Sequence, residues 1–196
     1  MWMAASRPRC NMIKNVIIMG VAGCGKTSVG EALAARTDWT YLDGDTLHSR
    51  ENVAKMSAGI PLTDADRWPW LETVGQTFAK STTRLSPARL MIGCSALKRA
   101  YRDHIRAAAG APVTFVHLSG TREIIEQRMR HRSGHFMPLA LLDSQFAALE
   151  PPAVDESAFS EDIDQTLDAI VTEIAARLSQ GQSTREPSNT PSGIPI

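Results

Sequence analysis

Eight consecutive residues constrain this chain more than any others. Gly20-Val21-Ala22-Gly23-Cys24-Gly25-Lys26-Thr27 fits the spacing GxxxxGK[ST], a loop that cradles phosphate. Its glycines permit a tight turn and let backbone N–H groups approach phosphate oxygens. A helix starting at the loop points its positive end at the same anion. Lys26 then reaches the β- and γ-phosphates of a nucleoside triphosphate, and the Thr27 hydroxyl ligates Mg²⁺. The flanks agree with this reading. Asn15–Met19 (NVIIM) is an apolar run of the buried-strand type, and Lys26–Arg36 carries Val29, Ala32 and Leu33 on one helical face. Strand, phosphate loop and helix in that order open an α/β domain.

The rest of the chain keeps the alternation. Thr40–Leu42, Arg89–Gly93, Val113–Leu118 and Phe159–Ile163 read as further strands. His48–Ser57, a segment with Trp70, Leu71, Val74 and Phe78 on one face, Thr121–Arg132, Pro138–Leu149 and Thr166–Leu178 read as helices. Asp66 is placed to cap the Trp70 helix, with Pro69 in its first turn. Such an order predicts a parallel sheet with helices on both faces, and ligands at the carboxyl ends of its strands. The 196 residues suit one domain. It is expected at 12–178, after an N-terminal extension at 1–11 and before a Ser-, Thr-, Pro- and Gly-rich tail at 179–196 that predicts disorder. Lys and Arg number 21, as do Asp and Glu, which argues against a dedicated nucleic-acid binder. No apolar run approaches the ~18 residues of a membrane span, and none near the start resembles a secretory signal. Cys10, Cys24 and Cys94 form no CxxC pair, so neither a disulfide framework nor a zinc site is indicated. A reducing cytoplasm is the expected compartment.

A second motif, Asp43-Gly44-Asp45, follows the second strand directly. Elsewhere it would read as an ordinary turn. At the carboxyl end of a parallel strand it lies on the phosphate-loop side. One carboxylate there is placed to hold Mg²⁺-bound water, the other to accept a proton from an attacking hydroxyl. No apolar strand ends in the usual metal-side Asp; Arg89–Gly93 runs into Cys94-Ser95 instead. Asp43 is therefore the metal-side candidate.

Five blocks together resemble the gluconokinase family: MGVAGCGKT, YLDGDTLH, the pattern N-x-x-K-M-x-x-G-x-P-L-x-D-x-D-R-x-P-W-L over Asn52–Leu71, CSALKRAYRD over Cys94–Asp103, and GHFMPLALLDSQFAALEPP over Gly134–Pro152. The resemblance spans Val16 to about Asp164. It implies a P-loop NTPase fold with a five-stranded parallel sheet, a helical substrate-binding region at about 46–84 and a lid at about 128–150. It implies phosphoryl transfer from ATP to the 6-hydroxyl of D-gluconate, with Mg²⁺, in a homodimer with no membrane or nucleic-acid partner. Carried over by residue, Gly20–Thr27 bind ATP, Thr27 and Asp43 hold the metal, and Asp45 stands beside the acceptor hydroxyl. Lys26, Asp45 and Arg128 are the expected catalytic residues.

Gluconate is a flexible polyol ending in a carboxylate, so it needs a cation at one end and hydrogen-bonding groups along its length. His48, Lys55, Asp66, Arg67, Lys98 and Arg102 lie in the matching blocks, and Arg50 lies between two of them. Any one of these charges would otherwise read as a solvated helix face. Arg50, Lys98 and Arg102 are the expected carboxylate clamp, with Lys98 and Arg102 on one face of a helix. Trp68 and Trp70 are expected in the core or pocket wall. Arg128 and Arg132, at i and i+4, are expected to meet the transferring phosphoryl group from the lid, and Gln165 to border the adenine. His131 and His135 share the same spacing without a third ligand nearby, so no zinc site is expected. The Cys24 thiol, at a helix N-terminus beside Lys26, is expected to be solvent-open and reactive without nucleotide. Two other functions stay open: a kinase for shikimate or a nucleoside monophosphate, and a non-catalytic ATP-binding protein. Lys26, Thr27, Asp45 and the lid arginines speak against the second.

Overall fold

The structure, a computed structural model, describes residues 13–81, 89–130 and 139–180. Strands β1 (Asn15–Met19), β2 (Trp39–Asp43), β3 (Arg89–Gly93), β4 (Thr114–Ser119) and β5 (Ala158–Asp162) form one sheet in the order β2-β3-β1-β4-β5, with parallel pairing throughout. Around it stand α1 (Lys26–Arg36), α2 (Arg50–Ser57), α3 (Asp64–Ser81), α4 (Arg99–Ala109), α5 (Arg122–Arg130), α6 (Leu139–Ala148) and α7 (Leu167–Gln180). The central strand β1 is buried at every residue, which explains its unbroken apolar run. Its side chains alternate between two cores. Val16 and Ile18 join Val29 and Leu33 of α1 and Ile170 and Ile174 of α7. Ile17 and Met19 join Trp70, Leu71 and Phe78 of α3 and Ile105 of α4. Both faces of the sheet are thus covered by helices, as the alternation predicts. Leu71, Val74 and Phe78 are fully buried; each contributes about 1.5–3 kcal/mol toward fixing α3 under the sheet.

Several boundaries differ from expectation for local reasons. The helix predicted at His48–Ser57 is α2, which follows a 3₁₀ turn at Gly44–Leu47 and starts at Arg50 because the Ser49 hydroxyl accepts the Asn52 N–H at 3.2 Å. Helix α3 starts at Asp64, since Thr63 and Asp66 exchange bonds. The Thr63 hydroxyl takes the Asp66 N–H at 3.3 Å, and the Asp66 carboxylate takes the Thr63 N–H at 2.9 Å. Asp66 thus supports the helix start in the reciprocal role of a capping box, and Pro69 lies inside α3 rather than in its first turn. Helix α7 runs on to Gln180, two residues into the segment expected as tail. The extension, the remainder of the tail, Cys10, His131, Arg132 and His135 lie outside the described residues.

The register sets the distances that matter. Ile18 of β1 and Asp43 of β2 both pair with Gly93 of β3. The phosphate loop and the Asp43-Gly44-Asp45 turn therefore leave the sheet two strand spacings apart, roughly 9.5 Å. A Cβ on Gly44 would stand 2.2 Å from the Gly93 oxygen, so only glycine fits between the two aspartates.

Candidate active site

Gly20, Gly23 and Gly25 have φ of 140°, 82° and 102°, values that glycine adopts without steric cost. Gly25 caps α1, no side chain caps the helix, and its first turn holds no acidic residue. Its first N–H groups therefore face outward as an anion site. Lys26 Nζ donates to the Gly20 and Val21 carbonyls, each at 3.1 Å. The Ala22 N–H donates to Gln145 Oε1 of α6 at 2.7 Å. Cys24 does not fit the expectation of an open thiol. It is fully buried in the α1-side core, and its Sγ lies 2.9 Å from where a Gly20 Cβ would stand. Its small size is what the loop requires. Cys94 is also fully buried, and burial pushes its thiol up to about 12.

Across β3, Thr27 Oγ1 donates to Asp43 Oδ2 at 3.4 Å, and Asp43 Oδ1 accepts the Asp45 N–H at 3.0 Å. A hydroxyl and a carboxylate side by side suit Mg²⁺, a hard ion that keeps several waters and substrate oxygens of its own. Among the described residues no three His, Cys, Asp or Glu converge on a softer metal. Burial raises the Asp45 carboxyl above its ordinary range; the Lys26 ammonium opposes this and Asp43 adds to it. Trp70 holds the turn from below, its Nε1 donating to the Gly44 oxygen at 2.8 Å. Its ring stacks on His48 at 4.0 Å and 17°. Burial, with Arg67 close by, lowers the His48 ring to about 4, so the ring stays neutral. Trp70 is core, as expected; Trp68 is half-buried edge-on to Tyr101.

The expected gluconate residues separate into three groups. Arg50 is exposed at the start of α2, with no hydrogen bond or ion pair among the described residues. Lys55 and Asp66 are matched to each other at 2.7 Å, and Asp66 also accepts from Thr63 twice, which holds its carboxyl at about 2. They staple α2 to α3. Lys98 pairs with Asp64 at 2.9 Å, and Asp64 also accepts from the Tyr101 hydroxyl at 2.5 Å, with Arg67 4.0 Å away. Asp64 and Tyr101 were legible only as motif letters in the Asn52–Leu71 and Cys94–Asp103 blocks. Arg102 is the clear correction. Its side chain is 0% exposed, and its Nε and Nη2 each meet one oxygen of the buried Glu156 carboxylate at 2.7 Å. Its Nη1 donates to the carbonyls of Ala96, Leu97 and Glu150. Arg102 lies among Tyr101, Ile105 and Ala109 on the buried side of α4 and cannot clamp a ligand.

On the other flank of β1, Arg128 donates from Nη2 to the Ile163 carbonyl and reaches the Gln165 carbonyl at 3.5 Å. Its Nη1 is 3.8 Å from where a Gly25 Cβ would stand. Gln165 donates to the Asp162 oxygen at 2.9 Å and shapes that turn. A cavity of about 250 Å³ opens beside Arg128, lined by Gly23, Gly25, Ser28, Val29, Arg128, Leu167 and Ile170. Leu167, exposed despite its size, gives it an apolar wall next to the phosphate loop. In the sequence Leu167 was indistinguishable from any apolar residue opening a helix.

Residues 16–152 match the family model described as AAA domain. The chain is 47% identical over 148 residues to the thermosensitive gluconokinase of Escherichia coli (strain K12), covering 73% of this chain and 75% of that one. It is 38% identical over 179 residues to the probable gluconokinase of Xenopus tropicalis, covering 84% and 93%. The chain belongs to the gluconokinase family. A solved gluconokinase from Sinorhizobium meliloti 1021 matches with a TM-score of 0.77 at 44% identity, over 87% of this chain and 94% of that one. Shikimate kinase from Aquifex aeolicus vf5 matches with a TM-score of 0.57 at 14% identity, covering 87% and 99%, a likeness of fold alone. Among the described residues of this gluconokinase-family chain, no helix is long and apolar enough to cross a membrane.

Proposed function

We propose that this chain transfers the γ-phosphoryl group of ATP to the 6-hydroxyl of D-gluconate, giving 6-phospho-D-gluconate and ADP. The observation that carries this reading is the facing pair at the ends of β1 and β2: Lys26 on the phosphate loop and Asp45 within reach of its field. Asp45 takes the proton of the 6-hydroxyl as that oxygen bonds to phosphorus. The bond from phosphorus to the β-bridging oxygen breaks, and the electron pair leaves with ADP. Lys26 and the first-turn N–H groups of α1 stabilise the charge that moves onto the phosphates. Thr27 and Asp43 would hold Mg²⁺, which supplies charge neutralisation along the phosphates when bound. Arg128, the phosphate loop and the Leu167 cavity receive the rest of the nucleotide, with Gln165 bordering it. On the acceptor side, neutral His48 is placed to hydrogen-bond a polyol. Arg50, Arg67 and Lys98 are the available cations for the carboxylate, Arg102 being excluded by its burial. A cytoplasmic homodimer is the assembly and compartment that fit the family resemblance; light scattering of the purified protein tests the first.

The decisive experiment is ADP release, coupled to NADH oxidation, with gluconate, shikimate, AMP and CMP offered separately. Turnover with gluconate and background rates with the other three are expected. A preference for shikimate or a nucleotide would replace the acceptor assignment. Tight ATP binding without turnover on any of the four would return the non-catalytic reading.

A further inference from the structure

One peptide group of the phosphate loop is gripped at both ends. The oxygen of the Val21–Ala22 peptide accepts from Lys26 Nζ at 3.1 Å, and its N–H donates to Gln145 Oε1 at 2.7 Å, from a residue 123 positions away. A backbone N–H only donates, so the carboxamide must present its oxygen to Ala22. In a trans peptide the C=O and N–H point in opposite directions, so rotating this unit would break both contacts together. Local geometry does little to prevent such rotation. The peptide lies between Gly20 and Gly23, both at positive φ, and glycine accepts many backbone conformations.

Helix α6 supplies what the loop lacks. Leu142 and Phe146 pack into the same core as Val21 and Cys24, and Asp143 is anchored to Arg122 of α5 at 2.8 Å. Gln145 lies between those two apolar anchors in sequence, so its side chain reaches the loop from a fixed base. We propose that Gln145 is a positioning residue for phosphoryl transfer: by taking the Ala22 N–H it fixes the Val21–Ala22 peptide and, through that peptide's oxygen, the station of Lys26 Nζ. This rests on the kinase reading above. It assigns to the acceptor oxygen of Gln145, not to its NH₂ group, the part that matters.

Two variants test it. Gln145→Leu keeps the bulk and removes the acceptor; Gln145→Glu keeps an acceptor oxygen. Hydrogen exchange at the Ala22 amide, read by NMR without any substrate, should accelerate about tenfold in Gln145→Leu and stay slow in Gln145→Glu. With ATP and gluconate, kcat of Gln145→Leu should fall about 10–100-fold, with the gluconate KM within about threefold and the Tm unchanged. Gln145→Glu should retain several times the kcat of Gln145→Leu. Normal kcat in Gln145→Leu overturns the proposal. So does a Gln145→Glu enzyme as impaired as Gln145→Leu, which would mean that the NH₂ group is what counts, and so does unchanged Ala22 exchange. Because that exchange needs no acceptor, its result stands apart from whether gluconate is the substrate.

Discussion

As the proposed base, Asp45 can act only while ionised, and the partial desolvation of its carboxyl at the end of β2 resists ionisation although the residue reaches solvent. The acid limb of kcat/KM for gluconate should therefore lie above the ordinary aspartate value of 3.8, activity falling as the pH drops through the raised value. Lys26 holds that limb down, so in a weakly active Lys26→Ala enzyme the limb should move further toward neutral pH. Lys26→Ala itself should lose orders of magnitude in kcat with the fold intact. Asp45→Asn should lose at least ~10²-fold in kcat, within the usual range for a lost base, with ADP affinity within about twofold. A carboxyl raised by folding works against stability while ionised, and its cost fades as the pH falls through the raised value. Asp45→Asn should therefore not lower Tm at pH 7, a check that needs only a thermal melt. His48 titrates at about 4 and contributes no limb near its ordinary 6.5. The cysteines obey the same burial logic. In the native enzyme an alkylating reagent should leave Cys24 and Cys94 untouched and spare activity, with both labelled only in denaturant. Rapid modification of Cys24 with inactivation, mapped by mass spectrometry, would contradict the buried loop described above.

At the scale of elements, Arg102 and Glu156 form the joint that seats α4 on the segment before β5. The guanidinium holds the Glu156 carboxyl at about 2, below its ordinary 4.5. The stability this supplies is complete above pH 4.5 and is lost as the pH falls through the lower value. Arg102→Ala leaves the buried Glu156 carboxylate with Arg106 as its remaining cation, at 3.2 Å, and should cost toward the lower end of about 3–5 kcal/mol in urea unfolding, whereas Arg102→Met combined with Glu156→Leu should cost clearly less. If Arg102→Ala instead raised the gluconate KM with stability unchanged, the residue would belong to the substrate site after all. This helix also marks where sequence reading ends. Strands, phosphate loop and α1 were legible because apolar runs and glycine spacing are local signals. Arg102 was not, because i,i+4 spacing says that two side chains share a face and nothing about which way the face looks. Ala96 to Glu150 and Glu156 come together only through tertiary packing. For Lys55 and Asp66 the sequence could not separate two roles, because an ion pair between two helices, at 2.7 Å, uses the same residue types as a ligand site. Gln145 stood only as one letter of the Gly134–Pro152 block, and Leu167 carried no distinguishing local pattern.

At the scale of the whole molecule, the proposed acceptor and nucleotide residues divide about β1. Sheet order places β3 and β2 on one side of it, with Asp43, Asp45, His48 and the Asp64–Lys98–Tyr101 cluster. On the other side lie β4 and β5, with Arg128, Gln165 and the Leu167 cavity. The crossover from β1 runs to the β2 side and the one from β3 passes β1 to reach β4 on the other, which opens a crevice at the carboxyl end of β1, and the phosphate loop stands in that crevice as the shared element. Substitutions should then sort by side. Lys98→Met leaves Asp64 to Tyr101 and Arg67 and removes a cation from the proposed acceptor half. It should raise the gluconate KM about tenfold and leave the ATP KM within about twofold. Leu167→Asp puts a charge on the apolar wall of the nucleotide half and should do the reverse. Arg128→Met should also weaken ATP, and because its Nη1 lies beside Gly25 of the loop it should lower kcat as well. Initial-rate kinetics with each substrate varied against saturation of the other resolve all three variants. Equal effects of Lys98→Met on both KM values would mean that the halves do not act separately, and that the cluster around Asp64 shapes the loop rather than the acceptor pocket.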